Sequence, residues 1–375
     1  MPDDEPIRAR APQGAGHDPA ETVPHHGALR LPTVEIDTYN EELRHDEGGF
    51  LGDRASSRAF TEILEDWRDR LRHVGAEDPL GERPSKAIKH KALDAALTDG
   101  EPEAAGLVQS AIEDFAHELA AVIRRFLRLR AWRDTERIII GGGFRESRIG
   151  EVAIGRSQVL LRTEGVPVDL VPIRHAPDEA GLIGAAQLLP RGMLEACDVV
   201  LAVDIGGTNF RAGLVEPRLS KAADLSAARV RRAEQWRHRD EKPTRKQAVA
   251  RLVEMLRGLA AWAEKDKLRL APWIGVGCPG LIEADGRISR GAQNLPGNWQ
   301  TDRFNLPEEL NAALTGLSGA TRVVLHNDAV VQGLSEAPFQ RDDVTRWGVL
   351  TIGTGLGNAR FTNQAGKAPA ASSRR

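Results

Sequence analysis

Two glycine-rich turns constrain this chain more than anything else in it: Asp204-Ile-Gly-Gly-Thr-Asn209 and Thr351-Ile-Gly-Thr-Gly-Leu-Gly357. Each follows an apolar run of strand type, at 199–203 and 347–352. Glycine lets backbone amides approach an anion with no Cβ in the way, and a threonine hydroxyl adds a donor. In the first turn the strand also delivers an aspartate, placed to hold Mg2+ beside that anion through water. Read singly, either turn is also compatible with a β-hairpin carrying a glycine bulge. Read together, they suggest two loops that grip one polyphosphate from opposite sides.

The segments around these turns alternate between helical and strand patterns. Residues 54–72 carry Phe60, Ile63, Leu64, Trp67 and Leu71 on one helical face, and 112–127 repeat apolar residues at i, i+3 and i+4. The β-branched run at 137–140 stops at Gly141-Gly142-Gly143, as a buried strand entering a tight turn does. A strand at 168–173 leads to a small-residue helix at 179–189, ended by Pro190. Beyond 199 come a long amphipathic helix at 245–263 and strands at 273–277, 322–325 and 347–352. Such alternation predicts an α/β fold.

Composition narrows the function classes. The 375 residues hold 51 basic and 54 acidic side chains, so charge offers no reason to expect a nucleic-acid partner. No apolar run approaches the length of a membrane span, and the start MPDDEPIRAR lacks a signal-peptide core. Cys197 and Cys278 are too few for a disulfide framework or a Cys-rich zinc site. A soluble, cytoplasmic protein with no membrane partner is expected. Residues 1–33 hold six of the 21 prolines and no periodicity, and 363–375 are small and basic; both are expected to be disordered tails.

Further strings follow in order between the two turns: Gly275-Val-Gly-Cys-Pro-Gly-Leu-Ile282, Asn294-Leu-Pro-Gly-Asn-Trp299 and His326-Asn-Asp-Ala329. With the two turns they resemble the ROK family of bacterial sugar kinases and sugar-responsive repressors, within the sugar kinase, actin and heat-shock ATPase superfamily. Ile138-Ile-Ile-Gly-Gly-Gly143 is similar to the family's adenosine-side motif, and Ala180-Gly-Leu-Ile-Gly-Ala-Ala186 to its closing helix. In the family these follow the second phosphate turn, whereas here they precede the first. The resemblance therefore implies a circularly permuted, two-domain actin-like ATPase (ribonuclease H-like) fold. In that arrangement 34–190 form the larger domain and 191–198 join the former termini. Residues 199–345 form the other domain, and 346–362 complete the larger one.

The resemblance also assigns roles. It makes Asp328 the general base for a sugar hydroxyl in an ATP-dependent phosphoryl transfer; the Asn327-Asp328 pair is also of the type that caps a helix. ATP and Mg2+ are the implied cofactors. The phosphates would meet Asp204, Gly206, Gly207, Thr208 and Asn209 on one side, and Gly353, Thr354, Gly355 and Gly357 on the other. Gly141, Gly142 and Gly143 would meet the adenosine side. Asn294, Asn327 and Gly280 would meet the sugar, and Asp204 would hold Mg2+ through water. Hexoses and amino sugars are the implied acceptors, and dimers are common in the family. Several family features are absent: the Cys-rich zinc loop, the Gly-Glu-x-Gly-His sugar motif, and a sugar-binding glutamate at whose place Gly52 stands. These departures leave open a second reading, a catalytically degenerate sensor of a sugar or nucleotide without a DNA-binding domain.

Overall fold

The structure, a computed structural model, describes residues 24–45, 48–316 and 322–364. Strand β1 (Val34–Tyr39) is followed by helices α1 (Ser57–His73), α2 (His90–Asp99) and α3 (Pro102–Arg128). Then come β2 (Arg137–Gly141), α4 (Arg148–Thr163), β3 (Asp169–Pro172), α5 (Pro177–Ala186) and the short α6 (Arg191–Glu195). Strands β4 (Val199–Ile205), β5 (Phe210–Glu216) and β6 (Arg229–Trp236) lead through a short α7 (His238–Glu241) to α8 (Arg245–Lys265). The chain continues with β7 (Leu270–Cys278), β8 (Leu281–Ile282), β9 (Ile288–Arg290) and α9 (Leu306–Ala313). It closes with β10 (Arg322–Asn327), α10 (Asp328–Gln340), β11 (Arg346–Ile352) and β12 (Leu356–Asn363).

Two five-stranded sheets result, in the orders β1-β12-β11-β2-β3 and β10-β7-β4-β5-β6. Strands from before residue 190 and after residue 345 share the first sheet: β2 runs parallel to β11, with Trp347 opposite Arg137 and Thr351 opposite Gly141. In the second sheet β10, β7 and β4 are parallel. Side chains alternate between the faces of each strand, and this sorts them into three cores. On β4, Val200 and Ala202 face a core shared by both sheets, whereas Val199, Leu201, Val203 and Ile205 face α8 and α9. On β2, Ile139 joins the shared core, while Ile138 and Ile140 face α3 and α4. Helix α8 starts on a capping box, with Thr244 Oγ1 accepting from Gln247 N.

Helices α5 and α10 lie between the two sheets and cross closely. A Cβ at Gly184 would lie 1.5 Å from the Val331 carbonyl oxygen, so only glycine lets the two backbones approach this far. The small residues of 180–186, read from sequence as a short helix, are thus the crossing surface of the central layer.

Several boundaries differ from expectation. The helix expected over 112–127 starts at Pro102, because Ala104, Leu107, Val108 and Ala111 extend the buried stripe. The segment 191–198 is not a bare linker, since it contains α6. Residues 24–33, expected to be disordered, are folded: Ala28 and Leu31 are buried, and Gly27 N donates to Leu325 O at 3.0 Å. The proline content hid them because single apolar residues, packed by tertiary contact, leave no periodic trace. The rest of that expected tail, 1–23, lies outside the described residues. Of the second expected tail, Asn363 ends β12 and Gln364 N donates to Thr33 O, while 365–375 lie outside the described residues.

Candidate active site

Asp204, the Asn327–Asp328 pair and the turns at 141–143 and 353–357 sit at the carboxyl ends of parallel strands, where α/β sheets present their ligand-binding loops. Asp204 is the next-to-last residue of β4 and is 3% exposed. Its Oδ2 accepts from Arg211 Nη1 at 3.2 Å, and the same guanidinium pairs with Asp178 in the first turn of α5. Burial raises the Asp204 pKa and the Arg211 charge opposes that rise. Room for the carboxylate comes from Gly181 on α5, where a Cβ would stand 2.5 Å from Asp204 Cγ. Sequence reasoning missed Arg211 as a partner, although it lies seven residues on, on the strand that pairs with β4.

Asn327 and Asp328 mark the junction of β10 and α10. Asn327 is the helix N-cap: its Oδ1 accepts from Ala329 N at 2.9 Å and Val330 N at 3.3 Å. Its Nδ2 donates to Gly280 O at 2.9 Å, and the residue is 2% exposed. The carboxamide thus holds the strand–helix junction, with one hydrogen of its Nδ2 bonded to Gly280 O. Gly280 meets it through a carbonyl that already accepts this bond. Asp328, the first residue of α10, is half-buried. Burial first, and then the negative charge of Asp204, push its pKa up to about 7, against a bond from Ala329 N. Cys278, at the end of β7, is fully buried, and burial with the charges of Asp328 and Asp204 drives its thiol well above the usual range. It stays a neutral thiol.

The two glycine turns are far apart in the chain and meet in space through their threonines. The Oγ1 atoms of Thr208 and Thr354, 146 positions apart, lie 3.0 Å from each other. Gly206 N donates to Asn209 O, and Gly353 N to Gly355 O, so each turn is closed on itself. Asn294 sits beside both: a Cβ at Gly207 would be 3.0 Å from its Cβ, and one at Gly355 would be 3.8 Å from its Nδ2. Gly357 pairs with Thr351 across β11 and β12. Gly141 ends β2, and Gly142 has φ +85 with space for a Cβ closed by Ile352 O at 2.4 Å, so the Gly141–Gly143 turn backs onto the second glycine turn. Residues 51–57 support that turn from another side: Ser57 N donates to Gly353 O, and Gly52 packs on Leu356.

The donor chemistry fits a polyphosphate with its cation. A Cβ at Gly143 would meet nothing within 4 Å, and the Thr208 and Thr354 hydroxyls share one space, while Asn209 Oδ1, an acceptor buried without a partner, suits the cation and not a phosphate oxygen. Asp204 and Asp328 bring two carboxylates close enough for one charge to be felt at the other. Among the described residues, no group of three His, Cys, Asp or Glu side chains forms a metal cage. Cavities of about 540 and 520 Å³ open elsewhere, along 283–289 and 300–312, and none of these motif residues lines them. They are surface depressions lined largely by charged side chains.

Residues 200–367 match the ROK family. The match covers 168 of the 375 residues. The matched segment begins inside β4 and includes both glycine turns, Asn294 and Asp328. No curated protein matches the chain. Among solved structures, a Cytophaga hutchinsonii protein proposed to be a sugar kinase is 18% identical; the match covers 47% of this chain and 52% of that one, with a TM-score of 0.32. A Listeria monocytogenes protein proposed to be an N-acetylmannosamine kinase is 22% identical, with coverages of 46% and 51% and a TM-score of 0.31. The chain thus spans about half the length of either. Among the described residues no helix is long and apolar enough to cross a membrane.

Proposed function

We propose that the protein is an ATP-dependent sugar kinase that phosphorylates a hydroxyl of a hexose or amino sugar, with Asp328 as general base. The observation that carries this reading is the meeting of the two glycine turns at Thr208 and Thr354, beside the Asp204 and Asp328 carboxylates. Amides and hydroxyls of the two turns bind and orient the phosphates, and Asn294 lies where it can address the groups held between them. Asp328 accepts the proton of the sugar hydroxyl as that oxygen forms its bond to phosphorus and the bond to the departing ADP breaks. Its place at the amino end of α10 favours the carboxylate once formed. Mg2+, when bound, neutralises phosphate charge, and Asp204 would hold it.

A circular permutation of the family's chain order belongs to the same reading. It is supported by β2, with its glycine turn, lying parallel to β11 in one sheet although it precedes β4 in the chain. On this reading the 34–190 and 346–362 segments make one domain and 199–345 the other.

The test is ADP release from Mg·ATP across a panel of hexoses and amino sugars. Turnover that depends on one of them is expected; nucleotide binding without turnover on any acceptor would favour the sensor. A pH profile adds a second check. A base must be deprotonated to act, and burial raises Asp328 to about 7. kcat/KM should therefore fall as pH drops through about 7 rather than through the ordinary carboxylate range near 4. An acid limb near 4 would remove Asp328 from the role.

A further inference from the structure

The start of the described chain is built onto β10, the strand that ends one residue before Asp328. Gly27 N donates to Leu325 O at 3.0 Å, and Leu325 N donates to His26 Nδ1 at 3.1 Å, so residues 26–28 cover the open edge of β10. The chain then turns and becomes β1, the edge of the other sheet, with Leu31 N donating to Val34 O and Ile36 N to Leu29 O. One continuous segment therefore spans both sheets, and His326 is where it grips. Its ring is buried, edge-on to Tyr39 at 5.1 Å. Tyr39 itself reaches the second sheet's side, its hydroxyl donating to Ile282 O and accepting from Ile282 N, both at 3.2 Å.

The tautomer of His326 follows from its partners. Asn327 N carries a proton and donates to Nδ1 at 2.7 Å, so Nδ1 is the bare nitrogen. Nε2 then bears the hydrogen and donates it to Ala28 O at 3.1 Å. Burial drives the ring pKa down to about 4, which keeps it neutral with this one arrangement of donor and acceptor. Each nitrogen has a backbone partner, one on the strap and one on the residue that caps α10.

We propose that His326 is a positioning residue for Asp328, and that residues 24–31 act through it as a strap that sets the start of α10. The ring fixes the Asn327 amide; Asn327 in turn caps α10 and ties it to Gly280 O, and Asp328 is the next residue. The strap acts through the ring, so its effect is on placement and not on chemistry. The kinetic part of this proposal rests on the kinase reading, and the structural part does not.

The experiment uses the full chain with His326→Phe, which keeps a ring and removes both bonds, and His326→Gln, which offers an acceptor and a donor again. A third variant, Gly27→Ala, displaces the strap without touching the ring: its Cβ would lie 2.3 Å from Ile282 O, at φ +61. Two readouts are taken: steady-state kinetics on the acceptor that the sugar panel identifies, and hydrogen exchange of the amides at 326–330. A loss in kcat of up to about 10²-fold is expected for His326→Phe, as displacement of a reacting group by an ångström can bring, with nucleotide Kd unchanged. His326→Gln should recover most of that loss, Gly27→Ala should reproduce part of it, and exchange at 326–330 should quicken in step. Unchanged kcat in folded His326→Phe and Gly27→Ala overturns the proposal while leaving the kinase reading intact. If the parent protein turns over no acceptor, the kinase reading fails and exchange alone decides: unaltered protection at 326–330 in both variants overturns the strap.

Discussion

Asp328→Asn should lower kcat by about 10²–10⁴-fold, the range over which a positioned general base contributes, while nucleotide affinity stays near that of the parent. Asparagine keeps the shape and cannot take the proton. The same substitution should stabilise the fold, with a definite pH dependence. Asp328 has a folded pKa of about 7 against an ordinary 3.8, so the folded protein holds this proton more tightly than the unfolded chain does. Its favourable contribution is complete below about 4 and is lost as pH rises through about 7. The variant lacks that loss, so its advantage in Tm should be small at pH 4, grow to pH 7 and then level off. Because Asp328 keeps some access to solvent, about 2 kcal/mol is expected at the plateau rather than the full value of the shift. Denaturant melts at pH 4 and pH 8 with both proteins check this. A gain in stability with no loss of turnover would leave Asp328 buried and strained but outside the chemistry.

Gly184→Ala should destabilise the protein by about 3 kcal/mol, the upper part of the range for overpacking a close contact. The added methyl group would fall 1.5 Å from Val331 O, an atom of the α10 backbone that no side-chain rotation can move. Helix α5 must then draw back from α10, and the core shared by both sheets opens. Since α5 also makes room for Asp204 at Gly181, and α10 starts at Asp328, turnover should fall with stability. Gly155→Ala is the control: it lies exposed in α4 with nothing within 4 Å of the new methyl, and should gain about 0.5–1 kcal/mol from helix propensity. Equal denaturant midpoints for Gly184→Ala and the parent protein would mean that the helices do not cross this closely.

Much of the arrangement around Asp204 and Asp328 was legible from residue order. The strand of 199–203, the glycine turns and the Asn-Asp pair are local signals, because backbone freedom at glycine and capping by Asn depend on a few neighbouring residues. The alternation that predicted an α/β fold is local in the same way, since each element buries one face. The strap and the bond that ties Asn327 to Gly280 were not legible. Ala28 and Leu31 show no periodicity, and they are buried only because β10 offers an open edge and Val34 returns alongside. Capping by Asn327 is local, whereas its bond to Gly280 O joins residues 47 positions apart.

The sequence by itself determined which segments are strands and helices near the turns, where the chain can approach an anion, and which carboxylates stand at strand ends. Tertiary structure alone decided that Thr208 meets Thr354, that Asp204 shares Arg211 with Asp178, and that His326 links the strap to α10. Local patterns reflect interactions between residues a few positions apart, whereas these contacts join residues up to 298 positions apart and exist only once two sheets have packed on α5 and α10.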